Sequence, residues 1–198
     1  MTLKILLQLV ILFLVIFDPL ASLMVFMVAS KPMSPKERKA TARLAVLVAS
    51  WLALAVLIAG EGILVLFNTN LNEFKVAGGI ILGLLGIKMA IGKPLADIGA
   101  AKNNSTRAIA AIIGTPLLTG PAVMTSIMIS THDYGRPITA LAVGIVLFIT
   151  AVIFHKADTL QKFVGTTGIQ VGTTFLGLVT ISWGVKFIIA GLKAIIAG

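Results

Sequence analysis

Cysteine is absent from the 198 residues, which excludes disulfides and thiolate metal ligands and leaves the redox compartment open. Histidine occurs only as His132 and His155, with no Cys or second His at metal-ligand spacing, so neither a metal nor any other cofactor is expected. An H-E-x-x-H motif is missing, as is a serine–histidine arrangement within an apolar run, and the chain is therefore read as not an enzyme. Charge is scarce as well. Charged residues make up 12%, only 7 are acidic, and 58% of the chain is apolar. With a mean hydropathy of +1.08, the chain has too much apolar surface to hide in a soluble fold and reads as an integral, all-α membrane protein.

What is present is a series of apolar runs near the length, roughly 17–25 residues, that crosses a bilayer as a helix. Six spans are predicted, at about 3–29, 42–67, 74–92, 108–130, 138–154 and 169–190. Lys4 ahead of an apolar run resembles the start of a signal sequence. The run is too long for one, carries Asp18-Pro19 inside it, and leads to no small-x-small cleavage pattern.

The formal net charge of +9 is explained by position rather than by a nucleic-acid partner. The first connection holds Lys31, Lys36, Arg38, Lys39 and Arg43, the third Lys88, Lys93, Lys102 and Arg107, and the fifth Lys156 and Lys162, eleven of the sixteen basic residues. The positive-inside rule then places the odd connections in the cytoplasm and both termini outside. A multi-pass protein of a prokaryotic plasma membrane is expected, with the lipid bilayer as its surroundings.

Two stretches interrupt the apolar runs with helix-breaking and polar residues: Asp18-Pro19-Leu20-Ala21-Ser22 in span one, and Gly114-Thr115-Pro116-Leu117-Leu118-Thr119-Gly120-Pro121 in span four. In hydrocarbon an interruption survives only where protein or a polar cavity takes over the freed backbone groups. Pro19-Leu20 and Pro116-Leu117 lie 97 positions apart, and Gly86-Ile87-Lys88 and Gly184-Val185-Lys186 lie 98 apart. These echoes divide the chain into 1–98 and 99–198. Three spans per half is an odd number, so the second half enters the membrane from the opposite side and the repeats are inverted. Inverted repeats meeting at broken helices are common in secondary transporters, with substrate held near the midplane by half-helix ends. Such ends suit a zwitterion, N–H groups facing its carboxylate and carbonyls its ammonium.

Asp18 and Glu61 are the acidic residues well inside predicted spans. Each would cost about 2.5–3.5 kcal/mol at a helix centre, so both are expected to face the bundle interior and are candidates for proton coupling. For Asp18 the alternative is to cap the helix that starts at Pro19. Gly78 and Gly79 in span three, and Thr173 and Thr174 in span six, are candidate lining. For the glycines the competing reading is close helix packing. Lys88 and Lys186 read as interfacial anchors.

These motifs resemble, over nearly the whole chain, the MarC/SnatA family of six-span membrane proteins, the neutral amino acid transporter family. Asp18-Pro19-Leu20-Ala21-Ser22 with Phe26 is similar to the family's Asp/Asn-Pro-Leu-Gly-Asn stretch followed by Phe, and Gly60-Glu61 to its Gly-Glu in span two. Ala77-Gly78-Gly79-Ile80 matches its Ala-Gly-Gly-Ile, and Pro116-Leu117 to Gly120-Pro121-Ala122 resembles its Pro-Leu…Gly-Pro-Gly. The departures are Ala21-Ser22 for Gly-Asn, Ala122 for the last Gly, and Thr173-Thr174 where many members carry Thr-Arg. The resemblance implies a secondary transporter of small neutral amino acids such as glycine, alanine, serine or threonine. Its substrate site would comprise Asp18, Pro19, Leu20, Ala21, Ser22, Thr115, Pro116, Leu117, Leu118, Thr119 and Gly120. The expected coupling ion is H+, with Na+ as the alternative, and the alternative function is a passive channel or an exporter of other small polar solutes or drugs.

Overall fold

The computed structural model describes residues 2–30, 33–66, 68–92 and 118–197. These residues form helices and short turns, with no strand among them: α1 (Thr2–Phe17), α2 (Pro19–Ala29), α3 (Pro35–Leu66), α4 (Leu71–Ala90), α5 (Pro121–Tyr134), α6 (Arg136–His155) and α7 (Ala157–Ala197). Four stretches are long and apolar enough to cross a membrane: Leu3–Ala29, Pro35–Gly60, Arg136–His155 and Thr167–Ala197. α4 has comparable length but carries Glu73, Lys75 and Lys88 within its 20 residues. Residues 108–117 of the predicted fourth span lie outside the described residues, and α5 takes up the rest of it from Pro121 on.

Helix starts follow from local chemistry. Pro19 and Pro121 sit in the first turns of α2 and α5, Pro35 opens α3, and Pro137 lies in the first turn of α6. Proline is suited to these positions because the N–H it lacks would have no helical partner there. Ahead of α3, Ser34 Oγ accepts from the Glu37 N–H at 3.3 Å, while Glu37 Oε2 accepts from the Ser34 N–H at 2.8 Å and hydroxyl at 2.7 Å. This reciprocal cap starts α3 seven residues before the apolar run at 42. Asn70 and Glu73 build a second capping box at α4. The Asn70 N–H and the Thr69 hydroxyl, both donating to Glu73, hold its carboxyl below the ordinary glutamate range. α7 is interrupted at Gly165, whose φ of 71° favours glycine.

Burial separates two kinds of helix. The Leu3–Ala29 span is 67% buried within the protein, against 28–33% for the other three. Phe13, Ile16 and Phe17 of α1, Leu23 and Phe26 of α2, and Val123 and Ile127 of α5 are almost fully enclosed in one apolar cluster. Phe26 stacks on Phe154 of α6 with ring centroids 5.3 Å apart. Around this centre, α3, α4, α6 and α7 turn large apolar side chains outward, among them Trp51, Ile58, Leu84, Phe148 and Phe175. An exposed apolar belt of this extent is what contact with lipid requires.

The most extensive helix pairing is α4 against α7, and it depends on glycines spaced every seven residues. A Cβ on Gly79 would lie 2.6 Å from the Gly184 carbonyl oxygen, one on Gly86 2.6 Å from that of Gly177, and one on Gly191 2.6 Å from that of Asn72. The two backbones are thus in near-direct contact along an antiparallel seam, as small residues permit in membranes. A Cβ on Gly83 would meet nothing within 4 Å.

Two outcomes are expected in thermal unfolding of the purified protein. Gly79→Val and Gly184→Val should each destabilise by about 1–3 kcal/mol or more, since the obstructed atom is backbone, whereas Gly83→Ala should stay within about 0.5 kcal/mol of the parent. For Glu73 the ionised form makes the capping bonds. Its stabilisation is complete above the ordinary glutamate range and is lost as pH falls through the lowered value, and Glu73→Gln should remove that acid-side dependence.

Candidate functional site

The break in the first span is built by one dipeptide. Pro19 has no N–H to continue α1, and Asp18 takes up left-handed geometry, φ 37° and ψ 69°. Asp18 Oδ1 then accepts from the Ala21 N–H at 3.2 Å and its carbonyl accepts from the Ser22 N–H at 3.1 Å, so Asp18 caps α2. Capping uses only one carboxyl oxygen. Asp18 Oδ2 is buried with no hydrogen-bond partner among the described residues, and so is Ser22 Oγ one turn on.

Most other buried hydroxyls are satisfied within their own helices. Thr125 and Ser126 donate to the carbonyls of Pro121 and Ala122 at 2.9 and 2.8 Å, and Thr150 and Thr180 to those of Val146 and Leu176 at 2.8 and 2.9 Å. The hydroxyls left over are those of Ser22, Ser30, Thr131 and Thr173. Ser22 and Thr173 belong to neighbouring elements, because α2 packs on α7. A Cβ on Gly172 would stand 3.4 Å from Leu20 Cδ1. An unpartnered polar atom in such surroundings costs about 1–3 kcal/mol, and a polar ligand or water would remove that cost.

The other residues singled out by sequence fall as follows. Leu118, Thr119 and Gly120 are buried immediately ahead of α5, and Gly120 is its extended N-cap residue, φ −66° and ψ 175°. Leu118 joins the apolar cluster that holds Phe17 and Leu23. Thr115, Pro116 and Leu117 lie outside the described residues. Pro121 opens the described helix that follows, and the helix starts at Pro19 and Pro121 stand 102 positions apart. Gly78 and Gly79 each face a neighbouring helix: a Cβ on Gly78 would fall 2.1 Å from Thr125 Cγ2, and Gly79 lies against Gly184. Thr174 is half-buried beside Thr173. Glu61 lies near the end of α3, and its side chain is outside what the structure describes.

Two cavities gather residues that sequence proximity could not. One, of about 280 Å³, is lined by Gln8, Lys75, Asp133, Tyr134, Trp183 and Lys186 among others. Lys75 Nζ stands 3.4 Å from Asp133 Oδ1, and Lys186 Nζ lies 4.3 Å over the Trp183 ring. Lys186, expected to be an interfacial anchor, is thus part of a polar cluster drawn from four helices. The second cavity, of about 1090 Å³, lies between the start of α3 and the end of α6. Lys39 and Arg43 of the first connection line the same cavity as Lys156 of the fifth, so both basic connections lie at the same end of the bundle.

The profile described as "MarC family integral membrane protein" matches residues 3–196. A UPF0056 membrane protein of Buchnera aphidicola subsp. Baizongia pistaciae is 30% identical over 164 residues, covering 80% of this chain and 81% of that protein. The UPF0056 membrane protein MJ1677 of Methanocaldococcus jannaschii is 31% identical, over 79% of this chain and 80% of its own. The UPF0056 inner membrane protein YhgN of Escherichia coli K12 is 29% identical, over 80% and 81%. No solved structure matches.

Replacing Asp18 separates its capping role from any other. Asp18→Ala should lower stability by about 0.5–2 kcal/mol through loss of the cap. Asp18→Asn retains an acceptor oxygen and tolerates left-handed geometry, and should unfold near the parent temperature.

Proposed function

The chain belongs to the MarC family of integral membrane proteins, and from that premise we propose that it is a secondary transporter of small neutral amino acids, working by alternating access. The observation that carries this reading is the break at Asp18-Pro19 in the most buried span, with Asp18 Oδ2 and Ser22 Oγ enclosed and unpartnered. Polar atoms held in that way at membrane depth suit a ligand with its own donors. The Ala21 and Ser22 N–H groups are taken by Asp18, so the atoms left for a ligand are Asp18 Oδ2, which suits an ammonium, and the Ser22 hydroxyl, which suits a carboxylate. Glycine, alanine, serine and threonine have the size and the opposed charges for such a site, and Asp18 is the first candidate to carry a coupling proton.

An inverted repeat, with halves 1–98 and 99–198 and six spans, is supported by the way the described helices pair. Exchanging α2 with α5, α3 with α6 and α4 with α7 turns the α2–α7 contact into α5–α4 and the α2–α6 contact into α5–α3, and leaves α3–α6 and α4–α7 unchanged. All six of these contacts are present. The seam between α4 and α7 obeys the same exchange: Gly79 and Gly86 map onto Gly177 and Gly184 at the spacing of 98, and Gly79–Gly184 and Gly86–Gly177 become mates of each other. Rocking of one half against the other around this seam would expose the break to each side in turn. The shared location of the first and fifth basic connections fits a cytoplasmic placement of that end, with both termini outside.

The test is radiolabelled alanine and glycine counterflow in proteoliposomes, with empty liposomes as control and an imposed pH gradient as a second arm. Saturable counterflow is expected, abolished in Ser22→Leu with membrane insertion intact. Asp18→Asn should keep exchange but lose the response to the pH gradient. Uptake without saturation or exchange would point to a channel, and unchanged counterflow in Ser22→Leu would remove the site assignment.

A further inference from the structure

The wide cavity between α3 and α6 has a charge and shape distinct from the break in the first span. Its described lining holds Arg38, Lys39, Arg43, His155 and Lys156 and no acidic side chain. The nearby Glu37 has its carboxylate turned to the Ser34 hydroxyl and N–H. At about 1090 Å³ it exceeds the roughly 300–1,000 Å³ of ordinary small-molecule sites.

The residues fall in rows along the two helices. On α3, Lys39, Arg43 and Leu47 recur every fourth position, sharing a face, and the row continues to the exposed Trp51. On α6, read back from its C-cap residue, Lys156, Val152 and the exposed Phe148 repeat the same spacing. Each row thus begins with cations at one end of the bundle and becomes apolar toward the middle of its span. Leu47 and Val152 both line the cavity and show large exposed surfaces. A ligand satisfying both rows must carry an anionic head and long apolar chains parallel to the helices.

We propose that this groove holds one anionic phospholipid. The phosphate lies among Lys39, Arg43 and Lys156, and the acyl chains run along Leu47–Trp51 and Val152–Phe148. Basic pockets between membrane helices recognise anionic headgroups by this combination of charge and burial. The lipid would bridge the two helices α3 and α6 that the exchange of halves maps onto one another.

Native mass spectrometry of the full-length protein, with thermal unfolding alongside, tests the assignment using palmitoyl-oleoyl phosphatidylglycerol, palmitoyl-oleoyl phosphatidylcholine and inorganic phosphate as separate probes. The expected result is one retained phosphatidylglycerol per chain and a raised Tm with that lipid alone. Lys39→Gln/Arg43→Gln should bind it roughly tenfold or more weakly while keeping the parent Tm in phosphatidylcholine. Lys4→Gln, which removes a cation far from the groove, should bind like the parent. Equal retention of both lipids, or undiminished phosphatidylglycerol binding in the double variant, would overturn the proposal. A Tm rise with inorganic phosphate matching that with phosphatidylglycerol would replace the lipid by a free anion. If the double variant does not fold, Lys156→Gln supplies the same comparison from the other helix.

Discussion

A broken helix in hydrocarbon has to be enclosed, and the arrangement of this protein follows from that constraint. At Asp18-Pro19 the hydrogen-bond ladder of the first span stops, and lipid offers nothing to the groups set free. The span that carries the break is accordingly the one most surrounded by protein, while the unbroken helices α3, α6 and the later part of α7 give most of their surface to the outside. α7, which packs on α2, is itself held against α4 by the glycine seam, where two backbones come together without intervening side chains.

The same economy explains which hydroxyls stand out. Serine and threonine in apolar helices usually donate to the carbonyl four residues back, as Thr125, Ser126, Thr150 and Thr180 do. Ser22 lies one turn after Asp18, and Thr173 follows the glycine that faces Leu20. Their oxygens are unpartnered, on two helices that pack together. Under the proposed function, only differential contact with two conformations lets a ligand drive the cycle, and contacts at the break are the first candidates to differ.

Much of this was legible in the residues. Asp18 before Pro19 inside an apolar run announces a helix end and a new cap, and α2 begins there. The apolar runs at 42–67, 74–92 and 138–154 each correspond to a described helix. Their ends differ because hydropathy marks the membrane crossing, whereas Ser34-Pro35 with Glu37, and Asn70 with Glu73, start helices in the flanking polar segments. The paired echoes pointed to Gly86 and Gly184, and both lie on the seam. The start of the fifth helix at Pro121 lies at the end of the stretch 114–121 that the sequence marks as an interruption. Gly120 provides the extended backbone that precedes Pro121. The cavity lined by Gln8, Lys75, Asp133 and Lys186 had no sequence signal, since four helices contribute to it, and the basic groove required knowing that the ends of α3 and α6 meet.

Because the chain has no cysteine, a single one can report on the break without further engineering. The most direct measurement is the rate at which Ser22→Cys, in proteoliposomes, reacts with a charged, membrane-impermeant methanethiosulfonate reagent in the presence and absence of alanine. A water-accessible site between two halves predicts reaction that alanine slows in a saturable way. A thiol that the charged reagent never reaches, or that reacts at the same rate whatever the alanine concentration, would contradict the account.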